Sequence, residues 1–236
     1  MKQIHKMIIA LVAIVAMTSS VHAGSFGLGV TGALLNVEAT GTETEGTAAE
    51  TGHKSAAASN NAFIGSIFAE YTFDGMMGMT FGLDYIPGSA DVSGKTQSRE
   101  DTERSIPGTA TEVTRTRTNT ANATVENHMT YYLELPIHSS GLFFKLGHVE
   151  MDVNTAENLT ASGGSYGNKT VDGTTMGLGI KQEVSENFYI KVLAQQTEYD
   201  GFTLTETGQG ADSPANTIKV DGLDTSKASL AIGYKF

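Results

Sequence analysis

The sequence predicts an all-β chain that follows an N-terminal export signal and closes into an up-and-down antiparallel barrel of eight transmembrane strands. Three observations predict it. The one long apolar run lies at the N-terminus, eight later segments alternate apolar with polar or glycine residues, and the connections between those segments are alternately tight and long.

Lys2 and Lys6 precede the apolar run Met7 to Met17, which is followed by Thr18, Ser19, Ser20, Val21, His22 and Ala23. A positive start, a short apolar core and small residues at Val21 and Ala23 predict a secretory signal over 1–23, cleaved between Ala23 and Gly24. The apolar run is well short of the ~20 residues a spanning helix needs. The domain that remains, 24–236, has no comparable run, and a chain without apolar helices crosses a bilayer only as a closed barrel. Loss of Lys2 and Lys6 takes the formal charge from −11 to −13. That acidity argues against a nucleic-acid partner. The absence of cysteine excludes disulfides and thiolate chemistry.

Each predicted strand has one apolar side at period two. Phe26, Leu28, Val30 and Leu34 alternate with Gly27, Gly29, Thr31 and Ala33. Phe63, Ile67, Ala69, Tyr71 and Phe73 alternate with Ser66, Glu70 and Thr72. Met79, Phe81, Leu83 and Tyr85 oppose Thr80, Gly82 and Asp84, and Val125, Met129, Tyr131, Leu133 and Leu135 oppose Glu126, His128, Thr130 and Glu134. In the fifth strand Phe144 and Leu146 oppose Lys145 and Gly147, after which Val149, Met151 and Val153 oppose His148, Glu150 and Asp152. That change of phase predicts a β-bulge near Gly147. Met176, Leu178 and Ile180 oppose Gly177, Gly179, Lys181 and Glu183. Phe188, Ile190, Val192 and Ala194 oppose Tyr189, Lys191 and Gln195, with Leu193 out of pattern. Leu230, Ile232, Tyr234 and Phe236 oppose Ser229, Ala231, Gly233 and Lys235.

The polar faces carry glycines and charges of both signs, which a water-facing sheet has no reason to collect. Glu70, Asp84, Glu134, Lys145, Lys181, Lys191 and Lys235 are therefore predicted to meet in a narrow lumen, where pairing offsets desolvation. Lipid then takes the apolar face. Connections after strands two, four and six are tight (Asp74-Gly75, 138–141, 184–187). Those after strands one, three, five and seven are long (38–60, 87–123, 154–170, 201–217). Outer-membrane barrels have short periplasmic turns and long outer loops. Phe26, Tyr71, Phe73, Phe143, Phe144, Phe188, Tyr234 and Phe236 gather at the short-turn rim as an aromatic girdle, and Phe63, Tyr85, Tyr131 and Tyr199 are candidates for the outer one.

The closing segment Leu230-Ala231-Ile232-Gly233-Tyr234-Lys235-Phe236 resembles that of the small, porin-like outer-membrane barrels of the OmpA, OmpX and opacity-protein type. In that family a terminal Phe, an aromatic two residues earlier and apolar residues at alternate positions are read by the barrel-assembly machinery. Leu230, Ile232, Tyr234 and Phe236 fill those positions. The resemblance implies a place in the Gram-negative outer membrane among lipid and lipopolysaccharide, with surface ligands or phage as partners of the loops. With no peptidoglycan-binding domain after Phe236, the two-domain form of OmpA is not what the chain resembles.

Catalytic and metal motifs are weak. His128, within Glu126-Asn127-His128-Met129-Thr130, lacks an adjacent nucleophile and is read as an ordinary polar lumen or rim residue. Glu38, Glu43, Glu45, Glu50 and His53 lack metal-site spacing and are read as solvated loop. Arg99, Arg104, Arg115 and Arg117 are mixed with Glu100, Asp101, Glu103 and Glu112, a balance that selects no electrostatic partner. No cofactor is predicted. Three functions follow in order: a structural or surface-interaction barrel presenting four long loops, a narrow channel for ions or small solutes, and a membrane-embedded hydrolase. An eight-stranded barrel is filled by its own side chains, but glycines at 27, 29, 82, 147, 177, 179 and 233 leave room for a thin water path. A ten-strand count requires a further hairpin after the third strand.

Overall fold

In lipid every backbone N–H and C=O must find a partner within the protein, and this chain meets that demand by pairing strands into a ring. A computed structural model describes residues 24–44, 53–74, 77–91, 99–104, 112–117, 120–137, 140–158, 165–207 and 215–236. The predicted signal segment and Ala23 lie outside the described residues, as do Glu45, Glu50 and parts of the two tight turns at 75 and 138–139.

The strands are β1 (Gly24–Thr44), β2 (His53–Phe73), β3 (Thr80–Asp91), β4 (Arg99–Arg104), β5 (Glu112–Arg117), β6 (Thr120–Ile137), β7 (Leu142–Asn158), β8 (Lys169–Glu183), β9 (Phe188–Tyr199), β10 (Phe202–Thr205) and β11 (Thr217–Lys235). The sheet order is β1-β2-β3-β6-β7-β8-β9-β11, and β1 pairs back onto β11 from Gly27↔Lys235 to Thr44↔Thr217. All pairs are antiparallel, so eight strands form the closed wall, and β10 adds to the upper part of β11. The connection after β3 does contain a hairpin, β4–β5, but it pairs only with itself and adds no strand to the ring.

Strands run further than their hydrophobic alternation suggests, so the long connections are shorter than predicted. β1 reaches Thr44 and β2 starts at His53, where the sequence reads 38–60 as loop. Above the pair Ile67↔Tyr85, β2 bonds to β1 but to no other described strand, and residues 55–61 are exposed on both faces.

The two faces exchange character along the barrel. Near the short turns Leu28, Val30, Ile67, Leu178, Ile180, Val192, Leu230 and Ile232 point outward and stay exposed, as a lipid-facing belt requires. Higher up, the outward row turns polar. Leu34 is followed by Asn36 and Glu38, Phe63 by Asn61 and Ser59, and Ala228 by Ser226 and Asp224. At the same height the interior turns apolar, with Val149, Met151, Val153, Val171 and Tyr199 packed together inside.

This exchange corrects the predicted bulge at Gly147. β7 pairs with β8 without interruption from Leu142↔Ile180 to Val153↔Lys169, so Phe143, Lys145, Val149, Met151 and Val153 all point inward. The apolar phase changes because the inner face turns apolar there while the outer face turns polar. The geometric slip lies one strand away, between Glu126 and Met129 of β6, where Asn127 has φ 54° and turns Val125 inward.

Candidate functional site

Four of the seven predicted lumen residues, Glu70, Glu134, Lys181 and Lys191, come from four strands of the ring and reach one another across it. Glu70 projects inward from β2 because its neighbours Ala69 and Tyr71 share the outer face, and it is 1% exposed. Lys191 comes from β9 on the far side. Its ammonium donates to Glu70 Oε2 at 2.5 Å and to Glu134 of β6 at 2.9 and 3.1 Å. Lys181 of β8 reaches Glu70 Oε1 at 3.4 Å, and the Tyr132 hydroxyl donates to Glu70 Oε2 at 2.9 Å. Each buried charge in this group therefore has a counter-charge and a hydrogen bond, the condition under which burial is tolerated.

Other predicted members stand apart from that knot. Asp84 accepts from Ser66 at 3.0 Å, whereas Lys145 lies over the Tyr132 ring, 3.8 Å from its centroid. Lys235 pairs with Glu183 at 3.0 Å on the exposed lower rim and does not join the lumen cluster. Lys227, which is not among the predicted lumen residues, is buried on β11 and lines the same small cavity as Asp84 and Lys145. Its signal was the alternation Thr225, Lys227, Ser229, Ala231, which continues the inward face of the last strand upward.

Aromatic rings stand against several of the glycines that line the lumen. A Cβ at Gly27 or Gly233 would meet Tyr189, at Gly29 Phe68, at Gly82 Tyr132, and at Gly179 Phe143. Thr175 covers Gly147, and Leu193, the residue out of pattern, covers Gly177. Lys191 sits among these rings, 4.9 Å from the centroid of Phe68 and 5.8 Å from those of Phe143 and Tyr189. Phe143 is expected in the lower girdle and Tyr199 in the outer one. Both are buried inside, because their parity on β7 and β9 matches that of Lys145 and Lys191. Tyr71, at 3% exposure, is covered rather than presented to the interface, its ring 4.8 Å from that of Phe73.

His128 points inward, and its Nε2 lies 2.9 Å from the Tyr199 hydroxyl. Tyr199 is itself a member of the apolar cluster with Val149, Met151, Val153 and Val171, so the pair lies against that cluster. The terminal residues form an outward strip at the lower rim. Ring centroids of Phe188 and Tyr234 are 5.0 Å apart, those of Tyr234 and Phe236 4.9 Å, and those of Phe26 and Phe236 5.9 Å. The Phe236 amide donates to the Phe26 carbonyl at 2.9 Å, which ties the last residue to the first strand. Leu230 and Ile232 continue the outward row above it. Gly24 opens β1 opposite Phe73.

A family model described as "Outer membrane protein beta-barrel domain" matches residues 7–236. No curated protein matches the sequence. Among solved structures, the outer membrane protein OprG from Pseudomonas aeruginosa is similar over 92% of this chain and 98% of its own, with 13% identity and a TM-score of 0.52. The attachment invasion locus protein Ail of Yersinia pestis aligns over 88% of this chain and 99% of its own at 11% identity and a TM-score of 0.39. Neisserial surface protein A aligns over 87% and 97% at 11% identity and a TM-score of 0.38.

Proposed function

The chain belongs to the outer-membrane protein β-barrel domain family, and from that premise we propose that it is a closed, non-conducting barrel that presents strands and loops at the cell surface. The observation that carries this reading is Lys191 bridging Glu70 and Glu134 across the lumen within a collar of Phe68, Tyr132, Phe143 and Tyr189. An ion passing this point would have to separate buried opposite charges, each costing several kcal/mol to leave unpaired.

In this reading the outward belt contacts lipid, and the polar rows above it contact lipopolysaccharide. The aromatic strip ending in Phe236 is the feature presented to the assembly machinery. Surface ligands or phage meet only the outer strands and loops. His128 is held by Tyr199, with no nucleophile among its described partners.

Single-channel recording in a planar bilayer tests it, with a heat-modifiable gel shift to verify folding. The expected result is silence from folded protein. Discrete, reproducible conductance steps would replace this reading with a narrow channel.

A further inference from the structure

Charge accounting in the middle of the lumen leaves a surplus. A cavity of about 20 Å³, room for one water-sized particle, is lined by Asp84, Glu134, Lys145, Lys191 and Lys227. Thr31 also reaches it. Three ammonium groups thus face two carboxylates, and the adjacent Glu70 and Lys181 cancel one another. Glu134 is engaged by Lys191, and one Asp84 oxygen by Ser66. Lys145 and Lys227 are 3% and 8% exposed, and among the described residues no carboxylate oxygen comes within 4.0 Å of either ammonium. They project from β7 and β11, on either side of β8 and β9, toward the same cavity.

A buried charge without a counter-charge is among the costliest features a folded chain can hold. Asp84 offsets one of the two ammonium groups. The geometry points to a resident monovalent anion of chloride size between Lys145 and Lys227, within reach of the Thr31 hydroxyl. This inference deepens the closed-lumen reading and rests on it. The ion enters as the barrel closes and is retained between the Lys191 knot below and the Val149 and Met151 cluster above. It makes the mid-lumen electrically neutral, which neither a water molecule nor a further hydroxyl would do.

The test is to refold the full chain into detergent micelles in sodium bromide and to crystallise it in the same salt. Diffraction at the bromine absorption edge should show one anomalous peak between the ammonium groups of Lys145 and Lys227, lost in Lys227→Met. No peak in the unsubstituted protein, water in its place, or an undiminished peak in Lys227→Met overturns the proposal. Should Lys227→Met fail to fold, the unsubstituted protein still decides the matter. Its thermal midpoint should be higher after refolding in bromide or chloride than in gluconate, and equal midpoints overturn the proposal. Silent recordings without a bromide peak remove the anion alone, whereas conductance steps remove the closed lumen.

Discussion

Lys191 holds two carboxylates that would otherwise be stranded. Replacing it with Met keeps much of the volume but leaves Glu70 and Glu134, both nearly inaccessible, without their shared counter-charge. Breaking a buried pair from one side typically costs about 3–5 kcal/mol. Lys191→Met is therefore expected to lower the urea midpoint of the folded barrel in micelles by a corresponding amount. An unchanged midpoint would show that Lys181 alone suffices for Glu70. Inward placement of Glu70, Glu134, Lys145 and Lys191 was legible in the sequence because strand parity is strict. Their partners were not, because Lys191 and Glu70 are 121 residues apart and meet only through the stagger of a closed ring. The same ignorance of cross-lumen distance grouped Lys235 with the cluster, although its ammonium binds Glu183 at the rim.

At the scale of the strand, small and large residues are matched across neighbours. Gly82 of β3 faces Tyr132 of β6, to which it is directly paired, and a methyl group there would overlap the Tyr132 ring. Gly82→Ala is expected to destabilise the barrel by about 1–3 kcal/mol, the usual range for overpacking. Combining it with Tyr132→Ala should recover less than the sum of the two losses, because that substitution also removes the hydroxyl that donates to Glu70. Chemical unfolding of the three variants measures both effects. The glycines were visible in the sequence, but they read as vacant space because an aromatic residue near a turn also suits a membrane girdle. Phe143 and Phe144 show the ambiguity, since adjacent residues on one strand take opposite faces. Apolar residues on β7 misled in a related way. Period two says that a strand has two faces, and only the height in the membrane says which of them meets lipid.

For the molecule as a whole, fold class and strand number were readable from eight alternating segments, while the hairpin β4–β5 and the upward extension of β1 and β2 were not, because those stretches are polar on both sides. The terminal strip belongs to this scale, since Phe236 packs against Phe26 and so ties the end of the chain to the first strand of the ring. Phe236→Ala is expected to reduce the amount of folded, heat-modifiable protein in the outer membrane. Unchanged assembly would separate the strip from recognition by the assembly machinery. The exchange of apolar character from the outer face to the inner one also fixes the depth of immersion. Were the barrel to sink by one or two residue rows, Glu38, Glu150 and Asp224 would be driven toward hydrocarbon. Were it to rise, Leu34 and Phe63 would be drawn into water. Misplaced charge on a lipid-facing wall costs up to about 2–4 kcal/mol per residue at the midplane and less near the surface, so several carboxylates acting together form a collar that stops vertical drift and holds the outer strands at a constant height above the lipid.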